Sequence, residues 1–255
     1  MRAKIYTMAM ALLAMALNAQ AQIGEYRNNL SIGFNGGYVL SSVGFDPEVP
    51  QGQHGGITGG LSFRYVCEKY FKTICSIYAE VNYASIGWKE DIKTLNDQPV
   101  INPVTGLPEE YSRTINYVQV PIFAHLAWGK EDKGLNFFVN LGPQFGWYLS
   151  ESTKTNFEFD QRNTDPETGR SNTIVAQDTM AIKNKFDYGI AVGAGMEYSV
   201  PRVGHFLLEA RYYYGLGNIY GASKRDYFGK SNFGNIVVKL SYLFDITKTR
   251  KKQQK

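Results

Sequence analysis

One stretch of strict alternation, YVQVPIFAHLAWG from Tyr117 to Gly129, constrains the fold more than any other feature of the chain. Val118, Val120, Ile122, Ala124, Leu126 and Trp128 form one row, and Tyr117, Gln119, Pro121, Phe123 and His125 form the other. A helix, repeating every ~3.6 residues, would scatter those apolar positions around its surface, whereas a strand gathers them on one face. That face meets either the core of a soluble sandwich or the hydrocarbon of a membrane. The rest of the chain decides between the two.

The same period recurs with turn signals between the runs, and it predicts eight strands. They cover Leu30–Leu40, Ile57–Val66, Cys75–Trp88, Tyr117–Gly129, Leu135–Leu149, Lys185–Val200, Phe206–Tyr214 and Asn235–Phe244. Their connections alternate in length. Those after the second, fourth and sixth runs are the short CEKYFKTIC, GKEDKG and PRVG; the others are longer and polar, the longest from Ser150 to Lys183. Short turns at one end and long loops at the other mark an outer-membrane barrel. A soluble sandwich has no reason to sort its loops in this way. The expected fold is therefore all-β: an eight-stranded antiparallel up-and-down transmembrane β-barrel, with short periplasmic turns and long extracellular loops.

The row opposite the apolar one carries Arg64, Glu80, His125, Asp187, Glu197, Glu209, Arg211 and Lys239. In a sandwich this row would be the solvated exterior; in a barrel it is the lumen, where charges must pair. Gly189, Gly193 and Gly195 share the row and favour a lumen, because a narrow interior needs small residues beside large ones. Arg64, Glu80, His125, Glu197, Glu209, Arg211 and Lys239 are thus expected to form a charge network inside the barrel. Eight strands enclose a space that side chains just fill, whereas an aqueous pore takes about 16–18. Strand direction puts Trp88 and Trp147 at the loop end and Trp128, Tyr198 and Phe244 at the turn end, as two interfacial girdles.

The beginning of the chain fits export. Arg2 and Lys4 precede an apolar run from Met8 to Leu17, and Ala19-Gln20-Ala21 supplies the small residues of a cleavage site. The run is too short to span a bilayer as a helix, which needs about 20 residues. Residues 1–21 are read as a signal peptide, 22–247 as the barrel domain and 248–255 as a basic, solvated tail. Composition agrees: 26 Gly, 18 Tyr and 15 Phe in 255 residues accompany a mean hydropathy of only -0.29. A barrel needs apolar residues only at alternate positions, so its average looks soluble.

Several phrases carry a family likeness: YVQVPIFAHLAWG, NFFVNLGPQFGWYLS, FDYGIAVGAGMEY and LLEARYYYGLGNI. With Pro121 in its strand, Gly142-Pro143 and the Gly193–Gly195 run, the chain resembles the PorT-like outer-membrane β-barrel proteins of the Bacteroidetes. The resemblance implies an eight-stranded outer-membrane barrel and, through the family's namesake, an association with a secretion and gliding apparatus. It brings no catalytic motif.

Catalytic and metal chemistry find little support in the sequence. Cys67 and Cys75 flank the first short turn, and counting from Tyr65 and Ile77 puts both on the outward face, so a disulfide across that hairpin is open. The three histidines, His54, His125 and His205, have no Cys or His partner at ligand spacing. Ser150, Ser152, Asp178 and Asp187 lie near the loop end with only His54 nearby, and no nucleophile–base–orienter set shows at recognisable spacing. Neither a cofactor nor nucleic acid is expected. Two functions stay open: a non-enzymatic barrel with a side-chain-filled lumen, an accessory of secretion by resemblance, or a surface barrel that binds a small ligand or partner protein through its long loops. Its partners would be outer-membrane lipid together with secretion-apparatus proteins or an extracellular ligand. Amino-terminal sequencing of the exported protein should begin at Gln22; retention of residues 1–21 would remove the signal-peptide reading.

Overall fold

In the computed structural model, residues 24–94, 96–131, 133–157, 180–221 and 226–249 are described. Their strands are β1 (Glu25–Asp46), β2 (Gln51–Gly52), β3 (His54–Tyr70), β4 (Thr73–Asp91), β5 (Glu110–Trp128), β6 (Gly134–Thr155), β7 (Phe186–Val200), β8 (Gly204–Gly215) and β9 (Lys230–Thr247). Every pairing is antiparallel, β1 with β9 and β4 with β5 included, so each of the eight long strands is bonded on both edges and the sheet closes on itself. The eight long strands are those the alternation predicts. β2 is an extra two-residue piece that pairs Gln51 with Glu90 and Gly52 with Lys89.

The two rows separate as the period requires. Phe34, Ile57, Leu61, Val81, Leu141, Ile190, Val238 and Leu240 are exposed on the outside, while Glu80, Asn82, Gln119, His125, Asn140, Glu197 and Lys239 are buried inside. An exposed apolar surface of this extent would be a liability in water and is what a hydrocarbon environment calls for.

The strands run farther at the loop end than their apolar pattern. β4 and β5 stay paired to Asp91↔Glu110, and β5 and β6 to Tyr111↔Thr155. The connection expected from Lys89 to Arg113 therefore shrinks to residues 92–109, and Ser150 to Thr155 are strand, not loop. The physical reason is that the outer face above the membrane meets water, so Lys89, Asp91, Glu110, Ser150, Ser152 and Lys154 replace the apolar row and the hydrophobic signal ends before the ladder does. Residues 158–179 of the long Ser150–Lys183 connection, the signal segment 1–21, and the tail after Thr249 fall outside the described residues.

One side-chain expectation is corrected and one open question is answered. Trp88 does not stand on the lipid face: it is fully buried, on the same inward row of β4 as Tyr78, Glu80, Asn82, Ala84 and Ile86. Two-residue parity along β4 dictates that position. The disulfide is not formed either, and Cys67 and Cys75 are free thiols. A register shift between Val66 and Glu68 leaves Cys67 out of the ladder and sets Cys75 opposite Glu68; a bulge of this kind re-aims the side chains around it.

Glycine is required where neighbouring side chains already fill the lumen. A Cβ at Gly195 would lie 2.6 Å from Phe138 Cζ and 3.0 Å from Glu209 Cα, whereas one at Gly52 would meet nothing within 4 Å. Overpacking of a filled interior typically costs about 1–3 kcal/mol. Gly195→Val should therefore reduce the fraction of protein that migrates as the unheated, strand-paired form on a gel, and Gly52→Val should not. Equal behaviour of the two variants would mean that the lumen is not tightly filled.

Candidate functional site

The middle of the lumen is an ion cluster contributed by three strands. Arg211 on β8 grips two carboxylates at once: Nη1 and Nη2 donate to Glu80 at 3.0 and 3.1 Å, and Nε and Nη2 donate to Glu209 at 3.0 and 2.9 Å. Lys239 on β9 bonds Glu80 and stands 3.8 Å from Glu209. All four are almost wholly shielded from solvent. Two positive and two negative charges leave the cluster neutral, which is the condition for keeping ions in a dry interior. Neutral groups take up the remaining valences: Asn82 donates to Glu80 at 2.7 Å, Asn140 donates to Glu209 at 2.9 Å, and the Arg211 guanidinium lies 4.4 Å from the Phe123 ring centroid. Gly193 is opposite Arg211, and a side chain there would collide with the Glu209 carboxylate.

A second cluster lies nearer the turn end. Arg64 donates to Glu197 at 2.8 Å, His205 Nδ1 stands 2.6 Å from Glu197, and His205 Nε2 stands 3.2 Å from Asp245. His125, expected in one network with the rest, joins the two clusters: its Nδ1 is 2.7 Å from Asn140 Oδ1 and its Nε2 is 4.0 Å from Glu197. Asp245 and His205, absent from the expected network, belong to it. Both lie on the inward rows, His205 two residues from Leu207 and Asp245 two from Leu243, so their direction was legible by parity and was passed over because they lie near the strand ends.

This cluster contains a serine, a histidine and a carboxylate in contact. Ser199 Oγ is 2.8 Å from His205 Nδ1, and His205 Nε2 is 3.2 Å from Asp245. The hydroxyl is not poised for attack, however. It is also 3.1 Å from Glu197 Oε1, which competes for the same ring nitrogen, and it is buried. A nucleophile needs an open face towards a reacting atom and donors for the developing oxyanion. The arrangement is that of a buried polar core.

The loop end is closed by packing that sequence reasoning missed. Trp88, Tyr111, Phe45, Tyr220 and Phe228 are all buried there, with Phe45 5.3 Å from Trp88 and 4.7 Å from Phe228 between ring centroids. The β8–β9 connection supplies Tyr220 and Phe228, folding back so that Ile219 N donates to Ser231 O at 2.8 Å and Tyr220 N to Ser231 Oγ at 3.1 Å. Arg113 donates to Tyr220 Oη at 3.0 Å and to Glu151 through Nε and Nη2 at 3.0 and 2.5 Å, with its guanidinium 6.0 Å from the Trp88 and Tyr220 ring centroids. Burial raises the Tyr220 phenol above its ordinary range, so it stays protonated at neutral pH. Asp187, read from sequence as a lumen charge, lies between this cap and the middle cluster and accepts from Tyr213 Oη at 2.6 Å.

The remaining predicted residues fall where the rows place them. Trp128, Trp147, Tyr198 and Phe244 are exposed on the outside, the first, third and fourth at the turn end and Trp147 at the loop end. His54 is 3.1 Å from Thr114 Oγ1. Among the described residues no group of three or more His, Cys, Asp or Glu is arranged to hold a metal ion.

Residues 18–221 match the family described as Outer membrane protein beta-barrel domain. A comparison with curated proteins finds no match. Among solved structures, the attachment invasion locus protein Ail of Yersinia pestis is 15% identical, with 86% of this chain and 99% of that chain covered and a TM-score of 0.34. The outer membrane protein OprG from Pseudomonas aeruginosa is 12% identical over 87% of this chain and 98% of its own, with a TM-score of 0.44. Neisserial surface protein A is 11% identical over 86% of this chain and 100% of its own, with a TM-score of 0.39.

The central cluster makes a quantitative demand. Arg211→Ala leaves two buried carboxylates with one lysine between them and should destabilise the barrel by ~3–5 kcal/mol, read from denaturant unfolding in lipid vesicles. Adding Glu209→Ala should return part of that loss, because the surplus charge is removed. Strict additivity of the two substitutions would show that Arg211 and Glu209 are not energetically coupled.

Proposed function

The chain belongs to the outer membrane protein β-barrel family, and we propose on that premise that it is a sealed, non-catalytic barrel whose outer end recognises a partner or ligand. The protein sits in the outer membrane, with its turns in the periplasm and its loops outside. The observation that carries the reading is the filling of the lumen, layer on layer: Arg64 with Glu197, then Glu80, Glu209, Arg211 and Lys239, then Tyr213 with Asp187, then the aromatic cap. An interior packed in this way offers no path to solutes, so the work falls to the surface outside.

The outer end supports that assignment. The described residues of the 92–109 connection carry the isolated bridges Lys93↔Pro99 and Ile101↔Pro108, and Asn102 closes the tip by accepting from Val104 N at 2.8 Å. Val104 and Leu107 are exposed there, above the lipid-facing band. Between this loop and the end of β6 runs a groove of about 420 Å³, lined by Asn102, Val104, Glu109, Asn156 and Phe157 among others. A rigid scaffold carrying an ordered loop with apolar tips and polar walls is the usual form of a binding surface. The PorT-like phrases support a second reading, an accessory of secretion. Co-purification in mild detergent separates the two, since only that role predicts secretion components held to the barrel.

Planar-bilayer recordings of the unmodified protein should stay at baseline, and a large steady conductance would overturn the sealed lumen. An epitope tag inserted at Gly106 should be labelled by antibody on intact cells, whereas labelling only after outer-membrane lysis would invert the topology. The corresponding position in the longer loop, Gly169, lies outside the described residues.

A further inference from the structure

The opposite rim carries a second surface. The β3–β4 turn is a tight one, with only Phe71 and Lys72 between the strands, and it lies against the β5–β6 turn because Thr73 pairs with Trp128 and Gly129 N donates to Lys72 O at 3.3 Å. Between the two turns runs a groove of about 810 Å³, whose described lining holds Lys69, Lys72, Lys130 and Lys133 against the single carboxylate of Glu131. That carboxylate is already held by Arg27 at 2.7 Å and by Lys69 at 3.4 Å. Among the described residues no ion pair involves Lys72, Lys130 or Lys133. Among the described residues, three ammonium groups thus face the groove without a counter-charge.

The apolar part of the same groove is Phe71 and Leu135. Phe71 is 78% exposed and sits at φ 52, a left-handed conformation that an aromatic residue seldom adopts and that two-residue hairpins usually assign to Asn or Gly. Leu135 continues into Phe137 and Trp128, both exposed on the lipid face. The groove therefore opens onto hydrocarbon on one side and presents free lysines at the headgroup level on the other.

We propose that this groove binds an anionic glycerophospholipid of the periplasmic leaflet, its phosphate among Lys72, Lys130 and Lys133 and an acyl chain along Phe71, Leu135 and Phe137. A zwitterionic lipid satisfies the apolar wall and leaves the surplus positive charge without a partner. A soluble acidic protein satisfies the lysines and makes no use of a wall continuous with the membrane. Basic side chains at a membrane surface each raise affinity for acidic lipid about fivefold, through an attraction that salt screens. The site is independent of what the outer loops recognise, so either reading can fail alone.

The test uses the mature full-length protein, released from nanodiscs of equal phosphatidylglycerol and phosphatidylcholine into native mass spectrometry. Phosphatidylglycerol should be retained in preference. Combined Lys72→Gln, Lys130→Gln and Lys133→Gln should cut the preference tenfold or more while the heat-dependent gel shift stays intact, and Phe71→Ser should weaken retention of both lipids. Equal retention of the two lipids by the unmodified protein would overturn the proposal. So would an undiminished preference in the triple variant, or displacement of the lipid by millimolar glycerol phosphate, which would reduce the site to a free-anion site.

Discussion

Backbone hydrogen bonding in hydrocarbon governs this molecule. An unpaired N–H or C=O costs several kcal/mol where no water can reach it, so a sheet that enters a bilayer must close. The β4–β5 and β1–β9 ladders do that here. Closure has a second effect. It converts one of the two side-chain rows into an interior that solvent barely reaches, and every polar group on that row must then find its partner inside. Ordinary surface residues such as Arg64 and Glu197 become members of obligatory pairs because of where the ring puts them.

Much of this was legible in the chain. Period-two alternation is a direct consequence of strand geometry, so the eight long strands and the inward direction of Glu80, Glu209, Arg211 and Lys239 could be read without coordinates. Which of these charges meet could not be read, because strand tilt and stagger decide that. Arg211 reaches across to Glu80, 131 residues away, as well as to its neighbour Glu209. Whether Cys67 meets Cys75 could not be read for a related reason: the register shift after Val66 depends on the facing strand, and alternation within one strand cannot reveal it. Trp88 was legible by parity and was assigned by its height alone. The inward fold of Tyr220 and Phe228 had no periodic signal, since a loop that packs into a mouth obeys tertiary contacts only.

The two ends of the barrel differ in their chemistry. At the loop end, polar strand ends carry a loop with the exposed apolar residues Val104 and Leu107, beside an aromatic cap that Arg113 ties to Glu151 and Tyr220. At the turn end the connections are short, and the β3–β4 and β5–β6 turns carry Lys72, Lys130 and Lys133. The first arrangement suits a partner that approaches through water, and the second suits the membrane surface itself.

The central ion cluster also ties the charge balance of the lumen to the closure of the sheet. Glu80 comes from the third long strand, Glu209 and Arg211 from the seventh, and Lys239 from the last. Without that last strand, Glu80, Glu209 and Arg211 carry one surplus negative charge. The carboxyl-terminal strand thus brings both the missing edge of the sheet and the missing positive charge. A barrel short of that strand is left open along one side and electrically unbalanced at its centre, so closure of the sheet and charge balance of the lumen depend on the same strand.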